Sequence, residues 1–225
     1  MLEISKVSYS YGGNSVFSDV SLRVAPGSFY FLTGPSGSGK TTFINLCAGA
    51  LIPEVGNIRV FGEETRNMSN YELSQMRRRL GIVHQNCEFL DHLSIEENIA
   101  LPLTVAGMDN TKERANVLEL MKWVGLDSKS NVKPQELSGG ERQRLALARA
   151  VIMSPEIILA DEPTGNVDWE MSQRLLTLMI ELNKMGKTIF ISTHDLSLIR
   201  LAKANVTART LRISDLKLSQ AGADL

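Results

Sequence analysis

Gly34-Pro35-Ser36-Gly37-Ser38-Gly39-Lys40-Thr41-Thr42 lies between two runs of different character. Before it, Phe29-Tyr30-Phe31-Leu32-Thr33 reads as a buried strand. After it, Phe43, Leu46, Cys47 and Ala50 recur at helical spacing. The order strand, glycine loop, helix is the context that gives the pattern GxxxxGK[ST] its meaning. Such a loop aims successive backbone N–H groups and the positive end of a helix at one point, which suits a polyphosphate. Gly34, Gly37 and Gly39 let the backbone approach that ligand without a Cβ in the way. Lys40 is placed to reach the β- and γ-phosphates, and the Thr41 hydroxyl to ligate Mg²⁺. The loop therefore predicts a bound nucleoside triphosphate.

The bulk composition is consistent with that reading. A chain of 225 residues suits one domain, or one domain with a subdomain. The net charge of -1 offers no broad basic surface, so no direct contact with nucleic acid is expected. Hydrophobic residues make up 43%, as in an ordinary globular protein. No apolar run approaches the ~20 residues needed to cross a bilayer, and Met1-Leu2-Glu3 does not open a signal peptide. Folding in the cytosol is expected. Cys47 and Cys87 are too few for a disulfide framework and read as reduced thiols.

Along the chain, Leu2-Glu3-Ile4 and Val16 to Val24 read as antiparallel strands against the edge of the main sheet, joined by a loop over Tyr9 to Asn14. A strand pair is expected around Gly56 to Gly62, with Ile58, Val60 and Phe61 on its apolar face. Ser69 and Glu72 form a capping box for a helix ending near Arg77-Arg78-Arg79. These arginines read as solvated cations at a helix C-terminus rather than a nucleic-acid contact. A short strand over Gly81 to Gln85 follows.

From residue 86 to 136 the patterns are helical. Ser94 with Glu97 is a second capping box, and Asn110 with Glu113 is a candidate third. Pro102 is expected to bend or interrupt the helix that Ser94 opens. Leu118, Met121 and Val124 form one stripe, Gly125 suits a C-cap, and Trp123 reads as core. Strands resume at Glu156 to Asp161 and Thr188 to Thr193, with a helix from Trp169 to Lys184 between them. A terminal hairpin is expected over Val206 to Leu218, irregular at Ser214-Asp215-Leu216 because a glycine is lacking. The expected architecture is α/β, with residues 1–85 and 137–225 forming a mostly parallel core and an antiparallel β subdomain. Residues 86–136 form an inserted helical subdomain.

Two further stretches carry chemistry. Asp161 and Glu162 follow four apolar residues at a strand end. One carboxylate can hold Mg²⁺, directly or through water, and the other can take a proton from an attacking water. Leu137-Ser138-Gly139-Gly140-Glu141-Arg142-Gln143-Arg144 leads into a helix whose N-terminus carries a hydroxyl, by the same physics a second place for an anion.

Together these stretches resemble the nucleotide-binding domain of ATP-binding-cassette (ABC) proteins over essentially the whole chain. Gly34 to Thr42 (Pro35, Ser36 and Ser38 included) is similar to the Walker A loop, Gln85 to the Q-loop glutamine, and Leu137 to Gln143 to the signature. Ile158 to Glu162 is similar to the Walker B strand, Gly165 to Asp168 to the D-loop, and His194 to the switch histidine. Tyr11 sits where the family places an aromatic that stacks on adenine. The resemblance implies Mg²⁺-dependent ATP hydrolysis, with Glu162, His194, Gln85 and Lys40 as catalytic residues. It makes Thr41, Gln85 and Asp161 the metal ligands. It also implies a head-to-tail homodimer in which ATP lies between Lys40 of one copy and Ser138-Gly139-Gly140 of another, and it makes Asp168 a nucleotide-binding residue.

Asn98 to Leu103, Ala106-Gly107 and Ser192-Thr193-His194-Asp195 resemble the cell-division branch of the family. That branch works at the cytoplasmic face of the inner membrane with an integral, FtsX-like permease subunit. Ala160 to Asn166 is shared with lipoprotein-release and macrolide-type exporters, which are the alternative. A soluble cassette protein acting on ribosomes or DNA fits less well, because this chain carries neither a second cassette nor a long coiled-coil insertion. His84 stands where relatives usually have Phe and reads as a tolerated strand-end residue, and His92 as surface loop.

Overall fold

Two sheets of different make-up face each other across one apolar layer. The computed structural model describes residues 1–108, 110–165 and 167–221, without the side chains of 110–112. The smaller sheet contains β1 (Leu2–Tyr11), β2 (Asn14–Val24), β4 (Val55–Val60) and β5 (Glu63–Glu64), all antiparallel, in the order β2-β1-β4-β5. The larger contains β3 (Phe29–Thr33), β6 (Leu80–Val83), β7 (Ile157–Asp161), β8 (Thr188–Ser192), β9 (Ala208–Ser214) and β10 (Lys217–Gln220), in the order β10-β9-β3-β8-β7-β6. Its strands are parallel except β10, which returns antiparallel along β9.

The first two strands do not line the edge of the main sheet, as the sequence suggested. They lie face-on to it. The reason is their alternation: Leu2, Ile4, Val7 and Phe17 are buried and their neighbours are not, so one face needs a partner. That face packs on Tyr30, Leu32, Phe43 and Phe190. The expected loop over Tyr9 to Asn14 is also shorter. The strands run almost into each other, and Gly12-Gly13 makes the turn with φ of 55° and 87°. Both central residues lie in the left-handed region, as two-residue hairpin turns require.

The other face of the main sheet carries the helices. α5 (Gly139–Val151) buries Leu145 and Ala148 against it, and α6 (Trp169–Lys184) buries Leu175 and Met179. α3 (Ile95–Val105) and α4 (Asn110–Trp123) join the same cluster through Ile95, Ile99, Leu103, Val117 and Met121. Capping boxes at Ser69 and Ser94 open α2 (Asn70–Arg78) and α3. The proposed box at Asn110 lies outside the described side chains.

Several local expectations need correction. α3 continues through Pro102 to Val105, so the proline, which lacks one N–H bond, does not interrupt it. On α4 the buried stripe is Val117, Met121 and Val124, spaced i, i+4, i+7. Leu118 is one residue out of phase and exposed, and Trp123 is 55% exposed rather than core. The three arginines do stand at a helix C-terminus, with Arg77 and Arg79 exposed, and they act as struts as well. Arg77 donates to the carbonyls of Ala48 and Gly49, and Arg78 to that of Val105. Arg79 pairs with Glu156 at 2.7 Å and lies 3.6 Å over the Phe61 ring.

The last hairpin is regular despite its missing glycine. Ser214 faces Lys217, and Asp215 and Leu216 make the turn with φ of 50° and 63°. A left-handed conformation costs an L-residue about 1–2 kcal/mol. Leu216→Gly is therefore expected to raise the unfolding free energy by about 1 kcal/mol, read as a higher urea midpoint at unchanged slope. A lowered midpoint would mean that the leucine side chain contributes more than the backbone strain costs.

Candidate functional site

The parallel strands of the main sheet deliver their C-terminal ends to one edge. β3 runs into the glycine loop and α1 (Lys40–Cys47), β7 ends at Asp161, and β8 ends at Ser192 with His194 two residues beyond. Register sets Ser192 beside both Leu32 and Asp161. Elements far apart in sequence thus meet at a cleft of about 630 Å³. Gly34, Lys40, Thr41, Gln85, Asp161, Glu162 and His194 are among its lining residues.

The glycine loop can take this course only without side chains. A Cβ on Gly34 would lie 2.6 Å from Ser38 Oγ and 2.7 Å from the Ile213 carbonyl. One on Gly39 would lie 2.5 Å from Val16 Cγ1. Both also have positive φ, as does Gly37. Lys40 Nζ donates to the carbonyls of Gly34 and Pro35 at 3.0 and 3.2 Å and lies 3.9 Å from Glu162 Oε1. The ammonium is thus folded over the loop it belongs to, above the cradle of N–H groups.

Asp161 is 2% exposed and accepts two hydroxyl hydrogen bonds, both 2.5 Å: Thr41 to Oδ2 and Ser192 to Oδ1. Glu162 adopts φ of 48°, the left-handed region that a glutamate rarely enters. Its N–H donates to the Ser192 hydroxyl at 2.9 Å, and its carbonyl accepts from Gln143 Nε2 at 3.3 Å. These bonds hold the backbone so that the carboxylate turns into the cleft, where His194 Nδ1 stands 3.1 and 3.2 Å from its two oxygens.

Not every expected residue reaches this cleft. Pro35 and Ser38 belong to the loop but not to its lining, and the buried Ser38 hydroxyl has no partner within the described residues. Tyr11 is 48% exposed at the tip of its hairpin, edge-on to Tyr9 at 5.0 Å. Ser138, Gly139 and Gly140 form the start of α5, away from the cleft, where Ser138 caps the helix through Glu141. Glu141 in turn pairs with Lys129 at 2.6 Å, which with the Ser138 N–H holds its carboxyl down at about 2. Asp168 caps α6 by accepting from the Met171 N–H at 2.8 Å. Asn166, two residues before Asp168, lies outside the described residues. Cys47 and Cys87 are free, and burial pushes both thiols up.

Three contributors were named from sequence only as members of longer motifs. Ser192 and Gln143 support the two carboxylates, and Gly165 lines the cleft. Ser192 was within reach: two buried parallel strands ending in Asp161 and Ser192 are natural neighbours. Gln143 closes the signature stretch, which gave no sign that it would support Glu162.

Among the described residues no group of three or more His, Cys, Asp or Glu side chains could hold a metal ion. The Thr41 hydroxyl and Asp161 carboxylate fit a divalent cation that completes its shell with phosphate oxygens and water.

The ABC transporter family profile matches residues 17–165, spanning the glycine loop and both carboxylates. The chain belongs to the ABC transporter family. With this membership the cleft is that of an ATPase. Among relatives of this ABC chain, the cell division ATP-binding protein FtsE of Escherichia coli K12 is 38% identical over 216 residues, covering 96% of each chain. FtsE of Bacillus subtilis 168 is 34% identical over 92% of each. The methionine import ATP-binding protein MetN of Clostridium acetobutylicum is 36% identical over 89% of this chain and 63% of its own. Among solved structures, the ATP-binding cassette MJ0796, dimeric and bound to ADP and Pi, superposes with a TM-score of 0.88 at 31% identity. That match covers 99% of this chain and 100% of the other.

Ser192→Ala in this ATPase would take one donor from Asp161 and one acceptor from the Glu162 N–H. It is expected to cost about 1–3 kcal/mol of stability and to lower turnover more than ATP affinity. Denaturant unfolding and steady-state kinetics on the same sample check both; unchanged turnover would exclude Ser192 from positioning Glu162.

Proposed function

We propose that this chain is the ATP-hydrolysing subunit of a membrane complex and that it works as a nucleotide-bridged homodimer in cell division. The observation that carries the catalytic part is the convergence of Lys40, Thr41, Asp161, Glu162 and His194 on one cleft. In this reading the loop N–H groups and Lys40 hold the β- and γ-phosphates, and Lys40 exchanges its carbonyl partners for them. Thr41 and Asp161, with Gln85 at the rim, hold Mg²⁺, which supplies neutralising charge on the phosphate oxygens. Glu162 takes the proton of the attacking water, and His194, beside it, positions the carboxylate.

The dimer supplies the coupling. Ser138 and Gly139 are exposed, and Gly140 is half-buried, at a helix N-terminus that its own cleft does not use. Facing the γ-phosphate of a second copy, they bind it only in the closed arrangement. Tyr11 stacks on the adenine, and Asp168 adds to the nucleotide site. Reversing a 1:99 population takes ~5.5 kcal/mol, and charge-assisted hydrogen bonds contribute ~1.5–3 kcal/mol each. A few per site suffice. Hydrolysis then removes what bridges the copies. The dimeric MJ0796 cassette supports this reading.

FtsE relatives at 34–38% identity support an FtsX-like permease subunit as partner, which would place this chain at the cytoplasmic face of the membrane. No helix among the described residues is long and apolar enough to cross a membrane.

Glu162→Gln is expected to keep ATP binding, lower turnover by about 10²-fold or more, and accumulate an ATP-dependent dimer in size-exclusion chromatography. Wild-type turnover in that variant would remove Glu162 from the base role. For the partner, affinity purification of the tagged chain from solubilised membranes is expected to recover an FtsX-like protein. Recovery of a methionine permease or a lipoprotein-release permease instead would overturn the division reading.

A further inference from the structure

The N-terminus of α5 holds an electrostatic contradiction. It is the end proposed to receive the γ-phosphate of a second copy, yet it already carries a carboxylate. Glu141 Oε2 accepts from the Ser138 N–H at 2.9 Å and from the Ser138 hydroxyl at 3.1 Å. The hydroxyl meant to donate to a phosphate is therefore committed to an anion of its own chain. A carboxylate one helical turn from an incoming triphosphate should repel it.

Lys129 answers the contradiction. It ends the short turn Asp127–Lys129 and donates to Glu141 Oε1 at 2.6 Å. The other nearby cation is poorly placed: Arg144 lies 3.9 Å from the same oxygen and spends its guanidinium on the carbonyls of Val124 and Gly125 at 2.7 and 2.9 Å. Glu141 is only 17% exposed at its side chain, so water screens it incompletely and the neutralising charge must come from the protein.

We propose that Lys129 is a positioning residue for ATP-driven closure: by holding and neutralising the Glu141 carboxylate, it keeps Ser138 and the N-terminus of α5 able to accept the γ-phosphate presented by a second copy. When that phosphate arrives, the Ser138 hydroxyl turns from Glu141 to the phosphate, and the capping bond from the Ser138 N–H to Glu141 remains. Lys129 touches no substrate atom in this scheme; it acts through Glu141. The proposal rests on the dimer reading above.

The test uses Glu162→Gln as parent, because its expected slow turnover lets the dimer be titrated with Mg-ATP by analytical ultracentrifugation. Adding Lys129→Ala is expected to raise the ATP concentration at half-dimerisation by roughly fivefold or more, the size of an unneutralised charge near a helix terminus. Adding Glu141→Gln to that variant should return the midpoint to the parent value, since glutamine keeps the capping box and removes the charge. Lys129→Arg should behave as the parent. The Lys129→Ala effect should also shrink at high salt. A purely structural role would lower the thermal midpoint of the Ala variant and would not be repaired by Glu141→Gln. An unchanged ATP midpoint in Lys129→Ala, or a raised one that Glu141→Gln does not repair, overturns the proposal. A parent that never dimerises with ATP overturns the dimer reading itself, and this proposal with it.

Discussion

Two short hydroxyl bonds to one buried carboxylate hold the catalytic edge together. Asp161 receives Thr41 from the start of α1 and Ser192 from the end of β8. A carboxylate with 2% exposure is expensive to keep charged, and charge-assisted hydrogen bonds from both sides offset that cost. The same bonds fix α1 against the two strands that end in Asp161 and Ser192. Without them the glycine loop and Glu162 would have no common frame.

The backbone of Glu162 is the next dependency. Its left-handed conformation carries strain of the kind that persists only where surroundings impose it. Ser192 imposes it from β8 and Gln143 from α5. α5 therefore does two things at once. Its N-terminus is the surface proposed to face a second copy, and its second turn steadies the backbone of Glu162. A small shift of this helix is felt in both places.

The catalytic edge was legible because its motifs carry their own local physics. The loop Gly34 to Thr42 needs its glycines where side chains would collide, and the acids at Asp161 and Glu162 terminate an apolar strand. What the sequence hid depends on packing between distant segments. Trp123 and Leu118 read as core because apolar residues at helical spacing usually are, yet the phase of α4 is set by Val117 and Met121 against its neighbours. The antiparallel β subdomain was expected, but where its strands would lie was hidden for a related reason. Alternation announces that a strand has one buried face, not which surface will cover it. Gln143 is beyond such reading, since its role exists only once α5 lies under the end of β7.

The hairpin of β1 and β2 presses on the phosphate loop from outside, with Val16 and Phe17 filling the space where Gly39 would carry a side chain. The floor of the anion cradle is thus an apolar wall contributed by the other sheet. Grip on the triphosphate becomes a property of how two sheets are stacked, adjustable from residues that never meet the ligand. A bulkier or smaller side chain at Val16 would act as a set-screw on nucleotide affinity while leaving every hydrogen-bonding group of the loop in place.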